Sequence, residues 1–194
     1  MVSTLLQFSQ QKYVFLRSLL DVSEAISLYD YAVNLVGKIQ WVDDRLVPGS
    51  PALYGETRME ELLVSLLPKI EDASGLSLHP TCSYLRVYKR GDALPKHTDR
   101  SACEISISLN LGYEADAPWP LCIEGLAGTN SVEMQPGDAV LYRGIECAHW
   151  RDAFSGERTA QVFLHYVDRN GPYAEWKFDQ RTKWQVLERF SHLQ

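Results

Sequence analysis

From Cys82 to Val167 the sequence is a succession of short β-type runs: "CSYLRVY", "EISISLNL", "PLCIEG", "SVEM", "DAVLYRG", "IECAHW" and "RTAQVFLHYV". Gly-Asp, Ala-Pro, Gly-Thr-Asn, Pro-Gly and Ser-Gly signals separate them. Glycine supplies positive φ and proline withholds an N–H, so each signal marks a turn and not a helix. Strands this short and this regularly interrupted predict a sandwich or barrel.

The residues ahead of this region follow a different period. "DVSEAISLYDYAVNLVGK" opens with Asp21 and Glu24 as a capping-box variant, carries Ile26, Tyr29, Val33 and Val36 at helical spacing, and stops at Gly37. "TRMEELLVSLL" pairs Thr57 with Glu60 in a second box and carries the stripe Leu62, Leu63, Leu66, Leu67, with Pro68 expected to kink or end it. Between them, "WVDDRLVPGSPALYGE" reads as irregular loop. The predicted fold class is α+β: a double-sheet jelly roll, or double-stranded β-helix, backed by N-terminal helices. One domain is expected over 1–194, with helical support in 1–80, the jelly-roll core in 82–167 and a C-terminal extension in 168–194, where "DQRTKWQVLERF" reads as a further helix.

A chain of 194 residues suits one hydrophobic core, and 45% hydrophobic with 23% charged residues is the composition of an ordinary globule. A formal charge of −6 with no clustered Lys and Arg speaks against a nucleic-acid partner. Cys82, Cys103, Cys122 and Cys147 form no C-x-x-C pair, which favours buried free thiols over a zinc ribbon or disulfide framework. Gln, Lys and Arg interrupt the apolar N-terminal stretch and no later segment approaches a membrane span, so a cytoplasmic protein is expected.

Chemistry begins at "PKHTDR". On an extended chain residues i and i+2 point to the same side, so His97 and Asp99 can reach one ion, although a solvated pair on a loop has the same spacing. If "IECAHW" is a strand, His149 points inward with Ile145 and Cys147, as a ligand or as a hydrogen-bonded core histidine. In "RTAQVFLHYV" Arg158 is in phase with Ala160, Val162, Leu164 and Tyr166, which puts a guanidinium at the mouth of an apolar face where it needs an anion. With "DAFSGE" as a hairpin turn, His149 and Arg158 are expected about opposite one another on paired strands. His165, out of phase with Arg158, is expected to face away. Asn110 with Glu104, Ser106 and Ser108 forms a polar stripe, either pocket lining or the solvent side of a strand.

Two histidines and a carboxylate on a jelly roll describe a facial triad. With "YKRGDALPKHTD", "PGDAVLY" and "HWRDAFSGER" in this order, the sequence resembles the Fe(II)- and 2-oxoglutarate-dependent dioxygenases, and among them looks most like the prolyl-4-hydroxylase-type branch, over about Cys82 to Val167. The resemblance implies that His97, Asp99 and His149 bind Fe(II), that Arg158 grips the distal carboxylate of 2-oxoglutarate, and that the Tyr88 hydroxyl donates to the same carboxylate. It implies dioxygen as the oxidant and hydroxylation of an unactivated C–H bond, with release of succinate and CO2. Many relatives in that branch carry lysine at the Arg158 position. The related nucleic-acid dealkylases usually show a second arginine where Leu164 stands here. The expected substrate is a small molecule such as an amino acid or natural-product intermediate. A peptidyl hydroxylase, with the loop from Trp41 to Glu56 as a lid, and a non-catalytic cupin-like module are the competing readings. Arg100, Trp119, Trp150 and Arg151 are candidates to rim the mouth and contact substrate.

Overall fold

Two antiparallel sheets carry the fold in the computed structural model, which describes residues 4–38, 41 and 45–181. In chain order the elements are α1 (Thr4–Gln11), β1 (Tyr13–Leu16), α2 (Val22–Leu35), β2 (Ala52–Tyr54), α3 (Thr57–Ser74), β3 (Leu78–Lys89), β4 (Leu94–His97), β5 (Ile105–Glu114), β6 (Leu121–Gly125), β7 (Gly128–Val132), β8 (Ala139–Arg143), β9 (His149–Arg151) and β10 (Arg158–Asp168). A 3-10 turn lies at Ser101–Cys103, and Ala174–Gln180 holds 3-10 turns broken by a kink at Lys177, Phe178 and Asp179. The six-stranded sheet has the order β1-β8-β5-β10-β3-β2, and the four-stranded sheet β4-β9-β6-β7.

The larger sheet is buried on both faces. One face presents Leu85, Val87, Ile107, Val162, Leu164 and Tyr166 to the helices, against Ala25 and Tyr29 of α2 and Leu63 and Ile70 of α3. Each such side chain contributes about 1.5–3 kcal/mol by leaving water. The other face meets the smaller sheet, where Tyr13, Val140 and Tyr142 pack with Leu121 and Ile123, and Tyr88 packs with Leu94, Trp119 and Phe154. This inter-sheet space holds the site described below.

Several local expectations are corrected. Asp21 does cap α2, accepting the Ser23 amide at 2.8 Å. On α3, Glu56 is the cap, accepting the amides of Arg58 and Met59 at 2.9 and 3.1 Å. The Thr57–Glu60 box does not form, because Glu60 is buried and accepts from the amide and hydroxyl of Ser83, both at 2.8 Å, and from Arg181 at 2.9 Å. Pro68 neither ends nor breaks α3, which continues to Ser74 and stops at Gly75 in the left-handed region (φ 72°). Buried Leu66 and Leu67 before the proline and Ile70 and Ala73 after it hold the helix on the sheet across the lost hydrogen bond. Strands β1 and β2 form in segments read as helical or as loop; with 4 and 3 residues they are too short to show a period. The strand expected at "IECAHW" is confined to β9, after a turn in which Arg143 O accepts the amides of Glu146 and Cys147. "DAFSGE" is not a hairpin turn: β9 and β10 belong to different sheets, and the segment crosses between them. The helix expected in "DQRTKWQVLERF" lies outside the described residues from position 182 onward.

Candidate metal centre

His97 ends β4 and His149 opens β9, and these two residues are cross-strand partners. Asp99 follows His97 in extended chain, its amide donating to Gly144 O at 2.8 Å. One potential ligand atom from each of His97, Asp99 and His149 lies within 4.8 Å of the other two. The Asp99 Oδ1 atom is 3.7 Å from His97 Nε2 and 3.8 Å from His149 Nε2.

The neighbours determine which atoms face inward. His97 Nδ1 is 2.8 Å from Pro95 O, and His149 Nδ1 is 3.0 Å from Cys147 O. A carbonyl only accepts, so each Nδ1 carries the proton and each Nε2 presents a lone pair to the cluster. The Ser106 hydroxyl donates to Asp99 Oδ2 at 2.8 Å, leaving Oδ1 for the cluster. Burial holds His149 below the usual imidazole pKa, against the pull of Asp99, which keeps it in the neutral form that ligates metals. Two imidazoles and one carboxyl group, with second atoms held by hydrogen bonds, make a donor set suited to a divalent transition metal.

A cavity of about 160 Å³ opens onto this cluster, with Tyr84, Arg86, Tyr88, Phe163 and His165 in its wall. Two unsatisfied donors lie on one side of it, Tyr88 in its wall and Arg151 beyond the wall. Tyr88 is fully buried, and its hydroxyl has no hydrogen-bond partner among the described residues. Arg151 lies two residues beyond His149 on the same side of β9 and is 1% exposed. Its guanidinium stacks on the Trp119 indole, 5.0 Å from the ring centroid, and the Tyr88 ring meets that indole edge-on at 4.9 Å. Arg151 donates to Trp119 O, to Ser108 Oγ at 3.4 Å and to Gln161 Oε1 at 3.3 Å. Among the described residues its Nε has no acceptor and no carboxylate pairs with it. Burial lowers its pKa to about 10, so the group stays cationic at neutral pH. A buried cation with an unmet N–H beside an unmet phenol is an arrangement that an anion would complete.

The other expected site residues fall elsewhere. Arg158 is the main correction: it lies on the face of β10 turned toward the helices, its side chain is 47% exposed, and it pairs with Glu114 at 3.0 Å. The apolar phase Ala160, Val162, Leu164, Tyr166 packs against helices, while Thr159, Gln161, Phe163 and His165 face the other sheet. His165 therefore points into the cavity, contrary to expectation, with Nδ1 2.9 Å from Ser106 Oγ and its pKa lowered to about 4 by burial. Arg100 turns from the cavity to a bidentate pair with Asp179, both contacts at 2.7 Å. Trp119 is buried, donating to Asp152 O at 2.8 Å, and is not on the rim. Trp150 points to the opposite side of β9, under the Lys96 ammonium at 4.7 Å. The stripe of Glu104, Ser106, Ser108 and Asn110 is interior, with Asn110 Oδ1 accepting from Gln161 at 3.0 Å.

No protein-family model matches the sequence, and no curated protein does. Solved structures match across most of the chain. A Pseudomonas putida prolyl-4-hydroxylase is 16% identical, with a TM-score of 0.71, covering 88% of this chain and all (100%) of its own. The epimerase SnoN, in complex with Fe3+, alpha ketoglutarate and nogalamycin RO, is 12% identical with a TM-score of 0.70, covering 91% of this chain and 88% of its own. A prolyl hydroxylase from Trichoplax adhaerens, in complex with a peptide fragment of the hypoxia inducible factor oxygen degradation domain, is 12% identical with a TM-score of 0.68, covering 92% and 91%. The chain shares the mixed helix and antiparallel-sheet fold of these proteins. No helix among the described residues is long and apolar enough to cross a membrane.

Proposed function

We propose that this chain is an Fe(II)- and 2-oxoglutarate-dependent oxygenase, a single domain built as a double-stranded β-helix, that hydroxylates an unactivated C–H bond of a small molecule and releases succinate and CO2. An amino acid or natural-product intermediate is the substrate class we favour. The observation that carries the reading is the uncompensated Arg151 guanidinium on the same strand face as His149, with the unmet Tyr88 hydroxyl beside it. A dicarboxylate spanning from the metal to these donors satisfies both ends at once. The fold shared with an alpha-ketoglutarate complex supports the same ligand. Four free thiols agree with a reducing cytoplasm.

In this reading His97 Nε2, His149 Nε2 and Asp99 Oδ1 would hold the iron. Iron, 2-oxoglutarate and dioxygen supply the oxidising chemistry when bound. Arg151 Nε and Tyr88 Oη would receive the distal carboxylate, and the Trp119 indole would keep that end dry, which would strengthen the ion pair. Arg151 takes the role expected of Arg158. Ser106 and the carbonyls of Pro95 and Cys147 hold the ligands in their binding tautomer and rotamer. A peptidyl substrate is the second reading, supported by the likeness to prolyl hydroxylases.

Anaerobic titration tests this directly. Fe(II) and 2-oxoglutarate added to the protein should give a visible metal-to-ligand charge-transfer band, absent in His149→Ala. Arg151→Met should weaken 2-oxoglutarate by about 100-fold, near 3 kcal/mol, as expected for truncating one partner of a buried charge pair. Arg158→Ala should bind as the wild type does. A band unaffected by Arg151→Met but lost in Arg158→Ala would overturn the assignment of the cosubstrate cation.

A further inference from the structure

Ser106 of β5 stands directly opposite His165 of β10 in the sheet register, and both side chains are buried. The Ser106 hydroxyl donates to Asp99 Oδ2 at 2.8 Å and lies 2.9 Å from His165 Nδ1. A hydroxyl has one proton, and Asp99 Oδ2 takes it, so Nδ1 must be the donor in the second contact. His165 is thereby assigned the Nδ1–H tautomer. Burial, against the pull of Asp99, lowers its pKa to about 4, so at neutral pH the ring carries that one proton and no other. The opposite tautomer would make Nδ1 the acceptor and draw the Ser106 proton away from Asp99, setting two lone pairs against each other at 2.8 Å.

Among the described residues Ser106 is the one hydrogen-bond donor to the Asp99 side chain and the one hydrogen-bond partner of the His165 ring. That ring belongs to the wall of the cavity that also holds His97, Asp99 and His149, yet it stands outside the three-residue cluster and reaches Asp99 through the serine. A serine hydroxyl rotates to suit its surroundings, and Cys103 O, at 3.1 Å, competes for its proton. Resting on the metal centre of the reading above and not on its cosubstrate, we propose that His165 is a positioning residue. By donating to Ser106 it directs the serine proton to Asp99 Oδ2 and so keeps Oδ1 turned toward His97 and His149. An apolar ring in its place would fill the wall but leave the hydroxyl free to turn to Cys103 O.

The test uses the full-length protein, metal-free at first. Long-range proton–nitrogen NMR correlations, with the His165 signals assigned by their loss in His165→Asn, should show the Nδ1–H tautomer at neutral pH. Co(II) affinity, measured by competition with a metal indicator, should fall about 10-fold in His165→Phe and in Ser106→Ala. His165→Asn, whose side-chain N–H lies as many bonds from Cα as Nδ1 does, should keep most of the affinity and the wild-type Co(II) visible bands. Because His165 acts through Ser106, the double variant Ser106→Ala with His165→Phe should bind no more weakly than Ser106→Ala alone. An Nε2–H tautomer, a loss in His165→Asn as large as in His165→Phe, additive losses in the double variant, or wild-type protein that binds no Co(II) overturns the proposal. If His165→Phe does not fold, the wild-type tautomer and the contrast between Ser106→Ala and His165→Asn still decide it. Wild-type protein that shows this tautomer and this order of Co(II) affinities but ignores 2-oxoglutarate would sink the cosubstrate reading alone.

Discussion

Asp99 is held from two sides. Ser106 donates to its Oδ2, and Gly144, whose carbonyl accepts the Asp99 amide, packs so closely that a β-carbon there would overlap Asp99 Oδ2, Cys103 O and Ser106 Oγ. The glycine is needed for close approach, not for an unusual φ. Gly144→Ala should therefore displace the carboxylate and weaken divalent-metal affinity by about 10-fold or more, measured by competition with a metal indicator, with far-UV dichroism unchanged. Nothing in "YRGIEC" marks this glycine apart from any other turn glycine. The H-x-D pair was legible because its geometry is local to three residues. The role proposed for Arg151 was not, because it comes from missing partners: among the described residues Nε and Tyr88 Oη stand unmet only once β3, β9 and the Trp119 segment have met.

At the scale of elements, β10 explains why Arg158 was expected in the wrong place. Alternation tells which residues share a face, but not which face turns toward the site. In a sheet covered on both sides the more apolar face belongs to the helices here, and the polar one, Thr159, Gln161 and His165, lines the interior. Helix α3 is docked on that sheet partly through Glu60, which burial raises above the usual carboxyl pKa in spite of Arg181 and the Ser83 hydrogen bonds. The folded state thus binds the Glu60 proton more tightly than the unfolded state. Stability contributed by this group is greatest at low pH and declines as pH rises from the unfolded pKa through the folded one. Glu60→Gln should flatten the fall in urea midpoint between pH 4.5 and 7 relative to wild type; an unchanged slope would show that another group carries it.

For the whole molecule, the inter-sheet site has a stability cost in the absence of ligands, since Arg151 is a buried charge without a counter-ion among the described residues. Replacing it by an apolar side chain of similar length should raise the melting temperature of the ligand-free protein, by analogy with buried ion pairs whose replacement by apolar groups is often stabilising by about 1–4 kcal/mol. Metal with 2-oxoglutarate at 100 times its Kd should stabilise wild type by about 2.7 kcal/mol. Arg151→Met should lose that response, so the order of melting temperatures inverts when ligand is added. The sequence by itself determined the class of elements, the short strands from Cys82 onward, the helices before them and the i, i+2 presentation of His97 and Asp99, because these depend on periods and turn chemistry within a few residues. Only the tertiary structure decided which sheet each strand joins, which face of β10 looks inward, and which arginine is left without an anion. Those outcomes depend on packing and charge compensation between segments far apart in the chain, and no spacing within one segment encodes them.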